Sequence, residues 1–355
     1  MSTTTAAALD RIERLCDGSL PAKALREQVL AEIRRVLPFD AHAWLLTDPV
    51  TRVGTSPLAD LPGLAWDRLP ELGRLRYLTR VNRWTDLLDA GTPVSTLVAA
   101  TGGDLAASPL WKGFQSELGV VDVAAVAFGD RFGCWGWLDL WRCAPGPVYD
   151  AAARRFLESL PGPVTAGLRK AQARTFVDAS PPVPLHGPAV VVLGPDLQVR
   201  SQTNPAVEAL HRLNPPDDPI PAIPAAAYNV AAALIAAEEG VPVGPPWSRV
   251  HLSAGRWVTL HAARMAGSQG DGEIAVTIES STPSERLEVF ALAHGLSPRE
   301  REVLSLLATG ADSRSIAERL FLSEHTVNDH VKAVLSKTAS ATRQVLVSRA
   351  AGATG

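Results

Sequence analysis

Between Ser323 and Ser336 the chain sets out hydroxyls, imidazoles, a carboxamide, a carboxylate and one ammonium at helical spacing. At about 100° per residue, Val327, Val331, Val334 and Leu335 cluster on one side and must pack inward. His325, Asp329, Lys332 and Ser336 lie opposite, with Thr326, Asn328 and His330 on the flanks. A helix of this kind can present donors and acceptors to base edges in a major groove. The same residues can also be read as a plain solvated face. A second group lies on a strand. Period-two alternation in Gly133–Arg142 puts Trp135, Trp137, Asp139 and Trp141 on one face, and Trp44 sits on an earlier strand. Three indoles and a carboxylate could line an apolar pocket with one polar contact, or simply pack as core. His251 and His261 flank a hairpin. No G-x-S-x-G, H-E-x-x-H or phosphate loop occurs, so the expectation is a non-enzyme with no cofactor and no metal.

The polar helix needs elements to hold it. Ser297, Pro298 and Glu300 supply N-cap, N1 and N3 of a capping box, and Val303, Leu304, Leu306 and Leu307 supply the buried face. Gly310 ends that helix. Asp312 caps a second helix with Ile316, Ala317 and Leu320 inward. The turn Phe321-Leu322 leads to Ser323, the N-cap of the polar helix. Two short helices joined by a tight turn make a helix-turn-helix. Upstream, strands are expected at Ala41–Thr47, Val50–Thr55, Val120–Phe128 and Gly133–Trp141, and helices near Leu25–Leu37, Trp66–Ala90 and Asp150–Lys170. Further on, strands are expected at Ala189–Leu193, Gln198–Thr203, Ser248–Ser253, Arg256–Arg264 and Glu273–Glu279, with helices at Pro205–Leu213 and Ala225–Glu239. Ser180–Pro188 and Ser280–Glu285 read as proline-rich linkers, and Asn214–Pro224 as a loop.

With 355 residues and 46% apolar content, the chain can bury two or three cores. It has no apolar run long enough for a membrane span, and its start reads as no signal peptide. Three cysteines, Cys16, Cys134 and Cys143, show no CxxC spacing. They fit a reducing cytoplasm better than a disulfide framework. The net charge is −3, but Ser297–Arg349 carries eight Arg/Lys against six acids. That leaves +2 there and −5 elsewhere. So weakly basic a module should bind nucleic acid poorly as a single copy, so two copies are expected to act together.

Leu296–Leu335 resembles the C-terminal module of LuxR-type regulators, also found in NarL-type response regulators. The matching residues are Ser297–Leu304 (SPREREVL), Gly310, Ile316–Ala317, Leu320–Ser323 (LFLS), Thr326–Val327 and His330–Lys332 (HVK). The resemblance and the helix geometry together set Lys332 on phosphate or guanine. Asn328 then pairs bidentately with adenine, and Ser323 and Thr326 reach phosphate. His325, His330, Arg314 and Ser336 complete the contact set, and Asp329 either accepts from cytosine N4 or repels phosphate. The family usually has Glu at Ser315, often Lys at Asn328, and K-L-G-V where this chain has Lys337, Thr338, Ala339 and Ser340. Two apolar anchors are thus missing, which predicts weak docking of the last helix, the one that commonly serves dimerisation in the family. Ser108–Lys112 (SPLWK), Gly133–Arg142 and Leu168–Phe176 resemble GAF-related sensor domains of LuxR regulators. The middle segment resembles a PAS-like domain by strand count and helix placement.

The expected architecture is multidomain: two α+β sensor domains followed by an all-α four-helix helix-turn-helix domain. Residues 1–8 are expected to be disordered, 9–178 GAF-like, 179–188 a linker, 189–279 PAS-like, 280–290 a linker and 291–355 the helix-turn-helix domain. The expected function is a cytoplasmic, homodimeric regulator of promoter DNA, gated by a small molecule or a protein partner. The alternative is a sequestering module whose helix-turn-helix no longer binds DNA specifically.

Overall fold

The computed structural model describes residues 3–176, 187–213, 224–252, 256–266 and 272–352. Two α+β regions built on antiparallel sheets precede a helical C-terminal region. In chain order the first sheet region holds α1 (Thr3–Asp17), α2 (Ala22–Val36), β1 (Ala41–Thr47), β2 (Gly54–Asp60), α3 (Leu69–Leu78), α4 (Trp84–Asp89), β3 (Val94–Thr96), α5 (Leu97–Thr101), β4 (Val120–Asp130), β5 (Gly133–Cys143), α6 (Ala151–Glu158) and α7 (Pro161–Arg174). The second holds β6 (Ala189–Leu193), β7 (Val199–Gln202), α8 (Asn204–Leu213), α9 (Ala225–Glu238), β8 (Trp247–His251), β9 (Trp257–Arg264) and β10 (Ile274–Ser280). Five helices follow: α10 (Pro283–Ala293), α11 (Pro298–Ala308), α12 (Ser313–Leu320), α13 (Glu324–Lys337) and α14 (Arg343–Ala351). Among the described residues no helix is long and apolar enough to cross a membrane.

The described residues fall into two compact units. The first takes in Met1–Leu168, Leu185–Val250 and Thr259–Glu279, and the second Arg169–Pro184, His251–Val258 and Ser280–Gly355. Both sheets have five strands, ordered β2-β1-β5-β4-β3 and β7-β6-β10-β9-β8. The β4–β5 hairpin closes at the pair Asp130↔Gly133. Gly133 is required there, because a Cβ would sit 2.5 Å from the Pro49 carbonyl oxygen and φ is +142°. Within the first unit, α9 is alanine-rich and buried almost all round, so its backbone can lie close to β2 and α3. The same unit holds a buried ion pair. Asp48, in the β1–β2 turn, accepts from the Arg249 guanidinium at 2.7 Å, and both side chains are buried. The second unit has one core, running from Phe290 of α10 through Leu304, Ile316, Val327 and Val334 to Leu346 of α14. Phe176 stacks on Trp257 at 4.9 Å and meets Phe290 edge-on within that core.

Four expectations need correction or qualification. Residues 3–8, expected to be disordered, form the first turns of α1. Strand β2 starts at Gly54 rather than Val50, because Asp48 Oδ1 accepts from the Val50 and Thr51 amides and prolongs the turn. The linker expected at 280–290 is largely helix α10, capped by Thr282 and Glu285 in a reciprocal capping box with Pro283 at its start. Of the other linker and the loop, residues 179–186 and 214–223 lie outside the described residues. Cys16, Cys134 and Cys143 form no disulfide, and Cys16 and Cys134 are buried.

Candidate DNA interface

Local rules place the polar helix as the sequence dictates. The Ser297 hydroxyl accepts from the Glu300 amide and the Glu300 carboxylate accepts from the Ser297 amide, starting α11. Asp312 caps α12 through the Ser315 amide, and Ser323 caps α13 through the Thr326 amide. The turn between α12 and α13 passes through Phe321, which is in the left-handed region at φ +53° and 94% exposed. Arg299 donates to the Leu320 carbonyl at 2.8 Å and so covers a free end of α12. Val327, Val331 and Val334 are buried as the helix period requires.

The outward residues then stand as follows. His325, Asp329, Lys332 and Ser336 are exposed, and Thr326, Asn328 and His330 are half-buried. Asp329 lies 3.4 Å from both Lys332 Nζ and His325 Nε2. Exposed pairs of this kind are worth about 0–1 kcal/mol, so Lys332 can trade Asp329 for a phosphate at little cost. Ser323 Oγ and Thr326 Oγ1 are 2.8 Å apart and share a hydrogen bond. Arg314 is exposed on α12 and pairs with Glu318 at 3.3 Å. Asn328 differs from its neighbours. Its Oδ1 accepts from Ser313 Oγ at 2.8 Å and from Arg343 Nη2 at 3.0 Å. Ser313 and Arg343 were not singled out in the sequence. They lie 15 residues to either side of Asn328, and no local pattern links them.

The fourth helix of the module is better held than the missing anchors predict. Leu346 and Ala350 are fully buried against the common core. Thr338 and Ser340 are buried too, and their hydroxyls bond each other at 3.0 Å. Arg349 donates to the Thr338 and Ala339 carbonyls, and Arg286 of α10 donates to the Arg349 carbonyl. Hydrogen bonds and the extra helix α10 thus replace the two apolar contacts. Lys337 Nζ lies 2.7 Å from Glu300 Oε2, joining the end of α13 to the start of α11. Partial burial pushes the Glu300 carboxyl up, but Lys337 and the Ser297 cap outweigh it and hold it below the usual carboxylate range. The His294 imidazole is pushed down to about 4, chiefly by burial, with Arg349 and Arg169 adding to the effect.

The indole face of the first sheet is filled by the chain itself. Arg76 of α3 grips Asp139 with two hydrogen bonds, 2.9 and 3.2 Å, and the side chains are only 7% and 5% exposed. Burial pushes the Asp139 carboxyl up, while Arg76 pulls it back. Trp137 stacks on Trp84 at 5.0 Å, and the Arg76 guanidinium lies over both rings. Trp141 packs among Leu72, Leu110 and Phe114. Trp44 does not belong with them. It pairs with Leu138 across β1 and β5, so it points to the opposite face, where it stacks on Phe128. The β4–β5 register shifts beside Trp135, and its indole donates to Asp130 of the same hairpin at 3.1 Å. The sequence does not signal Arg76 and Trp84, because they lie in a broken helical stretch with no periodic pattern.

The family described as bacterial regulatory proteins, luxR family, matches residues 294–350. Those residues are a LuxR-family domain. The nitrate/nitrite response regulator protein NarL of Escherichia coli strain K12 is 46% identical over 78 residues, covering 22% of this chain and 36% of NarL. The NarL of Escherichia coli O6:H1 strain CFT073 matches equally, so the chain spans about a third of the length of these relatives. A crystal structure of Escherichia coli SdiA has a TM-score of 0.28 and 14% identity over 92% of this chain and 90% of that one. SdiA in complex with octanoyl-rac-glycerol has a TM-score of 0.30 and 15% identity over 99% and 96%. The matched residues lie in the second unit and hold the helix-turn-helix of α12 and α13.

Proposed function

We propose that the chain is a transcription regulator that reads double-stranded promoter DNA through the outward side of α13. One observation carries this reading: a LuxR-family domain holds an N-capped helix whose exposed residues include His325, Asp329, Lys332 and Ser336. A module of so small a positive charge gains affinity when two copies bind together, which favours a homodimer acting in the cytoplasm. The contact set is Arg314, Ser323, His325, Thr326, Asn328, Asp329, His330, Lys332 and Ser336. The upstream segments, GAF-like over 9–178 and PAS-like over 189–279, are the sensory part. Trp137 and Trp141 bury indole N–H groups with no partner among the described residues. A small effector or a protein partner would supply the signal, and an effector that reached these N–H groups would have to open the packed indole face. The test is fluorescence anisotropy of the full chain on its own upstream region across a salt series. Lys332→Ala should weaken binding uniformly and lower the salt slope by about one. An unchanged slope removes Lys332 from the interface.

A second reading has its own support. Asp329 neutralises one of the few cations of the face, and Asn328 is engaged within the protein. A sequestering module that no longer binds DNA specifically would show no salt-dependent binding to that DNA.

A further inference from the structure

The hydrogen bonds around Asn328 bear on which base it can read. A carboxamide oxygen has two lone pairs, and here Ser313 Oγ fills one at 2.8 Å and Arg343 Nη2 the other at 3.0 Å. Arg343 Nη2 also donates to Ser313 Oγ at 2.9 Å, which turns the serine hydroxyl proton toward Asn328. The orientation of the amide is not interchangeable. A guanidinium has donors only, so the amide atom facing Arg343 must be the oxygen. The Asn328 Nδ2 group therefore points away from this triangle, and α13 carries it on the flank of its exposed side.

Bidentate pairing of asparagine with adenine needs both ends of the amide: Nδ2 donates to N7, and Oδ1 accepts from the N6 amino group. Here the accepting end is consumed. We infer that Asn328 acts as a donor-only reader that favours guanine over adenine, with Arg343 and Ser313 as the positioning residues that impose the choice. Guanine presents O6 and N7, both acceptors, to an amide donor. Adenine would present an amino group to an oxygen with no free lone pair. The three residues come from the starts of α12 and α14 and from the second turn of α13, so the helix packing sets a specificity that the recognition helix alone does not encode.

This inference rests on the DNA-binding reading, and one experiment separates the two. The full-length protein is used to select from a randomised duplex library, alongside Asn328→Ala, Arg343→Ala, Arg343→Lys and Ser313→Ala, each checked for an intact thermal transition. Wild type should enrich guanine at one base pair, and Asn328→Ala should lose roughly fivefold discrimination at that position alone. Arg343→Ala frees a lone pair, so adenine should rise severalfold at the same position. Ser313→Ala, which leaves the arginine in place, should shift it in the same direction. Arg343→Lys keeps a donor and should keep guanine. Adenine selected by wild type at the position that Asn328→Ala erases would overturn the inference. So would an unchanged motif in both Arg343→Ala and Ser313→Ala. If no variant, wild type included, enriches any sequence, the DNA-binding reading itself falls.

Discussion

Two aspartate–cation pairs in this chain face opposite fates. Arg76–Asp139 lies on the first sheet at 2.9 Å, between two indoles and almost wholly out of water. Lys332–Asp329 lies on α13 at 3.4 Å, with side chains 75% and 55% exposed. In the sequence both aspartates looked like parts of sites, because each put a charge among residues able to recognise a ligand. Burial separates them. A buried pair is held by the cost of leaving either charge alone, so it cannot open for a ligand cheaply. A screened surface pair costs little to exchange, so its charges stay available to a phosphate.

The largest expected effect breaks the first pair. Arg76→Ala should destabilise the first unit by about 3–5 kcal/mol, because Asp139 is left buried without a partner. Chemical denaturation of the full chain should show one transition moving and the other holding. Loss of less than about 1 kcal/mol would mean that the pair is solvated and the contrast is false.

A next effect tests whether buried charge also matters inside the DNA-binding unit. His294 titrates near 4 when folded and near 6.5 when unfolded. The unfolded state therefore binds more protons between these values, and stability falls as pH drops from 6.5 toward 4. The slope contributed is at most about 1.4 kcal/mol per pH unit. It should vanish in His294→Gln when the two proteins are melted across that range. Parallel curves for both would assign the acid sensitivity elsewhere.

A smaller effect concerns the turn before α14. Ala339 stands at φ +49°, where the family usually has glycine. Relief of the left-handed strain outweighs the added freedom of the unfolded glycine, so Ala339→Gly should stabilise the second unit by roughly 0.5–1 kcal/mol. The melting temperature should rise by a few degrees with the selected DNA motif unchanged. The smallest effect sharpens the second pair. Asp329→Asn should strengthen DNA binding by about two- to threefold and leave stability within about 0.5 kcal/mol. Weaker binding by that variant would make Asp329 a base contact instead of a brake on Lys332.

Much of the DNA-binding unit was legible because its signals are local. Ser297, Asp312 and Ser323 each cap a helix through an amide three residues on. The same grammar occurs once more, at the start of α10. Thr282-Pro283-Ser284-Glu285 repeats the pattern of Ser297-Pro298-Arg299-Glu300, yet its proline and serines suggested a linker. Helix α10 hides its period as well: Val289 to Ala293 are all buried, which happens when a helix is packed on more than one side. On the first sheet, alternation correctly grouped Trp137, Asp139 and Trp141. It gives no sign of the register shift beside Trp135, and it had no means to show that Trp44 faces the other way.

By itself, then, the sequence determined the caps, turns and buried stripes of α11 to α13, because hydrogen bonds between residues three or four apart are encoded where they occur. It also determined which side of α13 faces out. Only the tertiary structure decided what the polar groups do there. Arg76 and Asp139 are 63 residues apart, and Ser313 and Arg343 are 30 apart. No local pattern predicts such partners. Packing brings them together, and desolvation then fixes which charges are spent inside the protein and which remain for DNA.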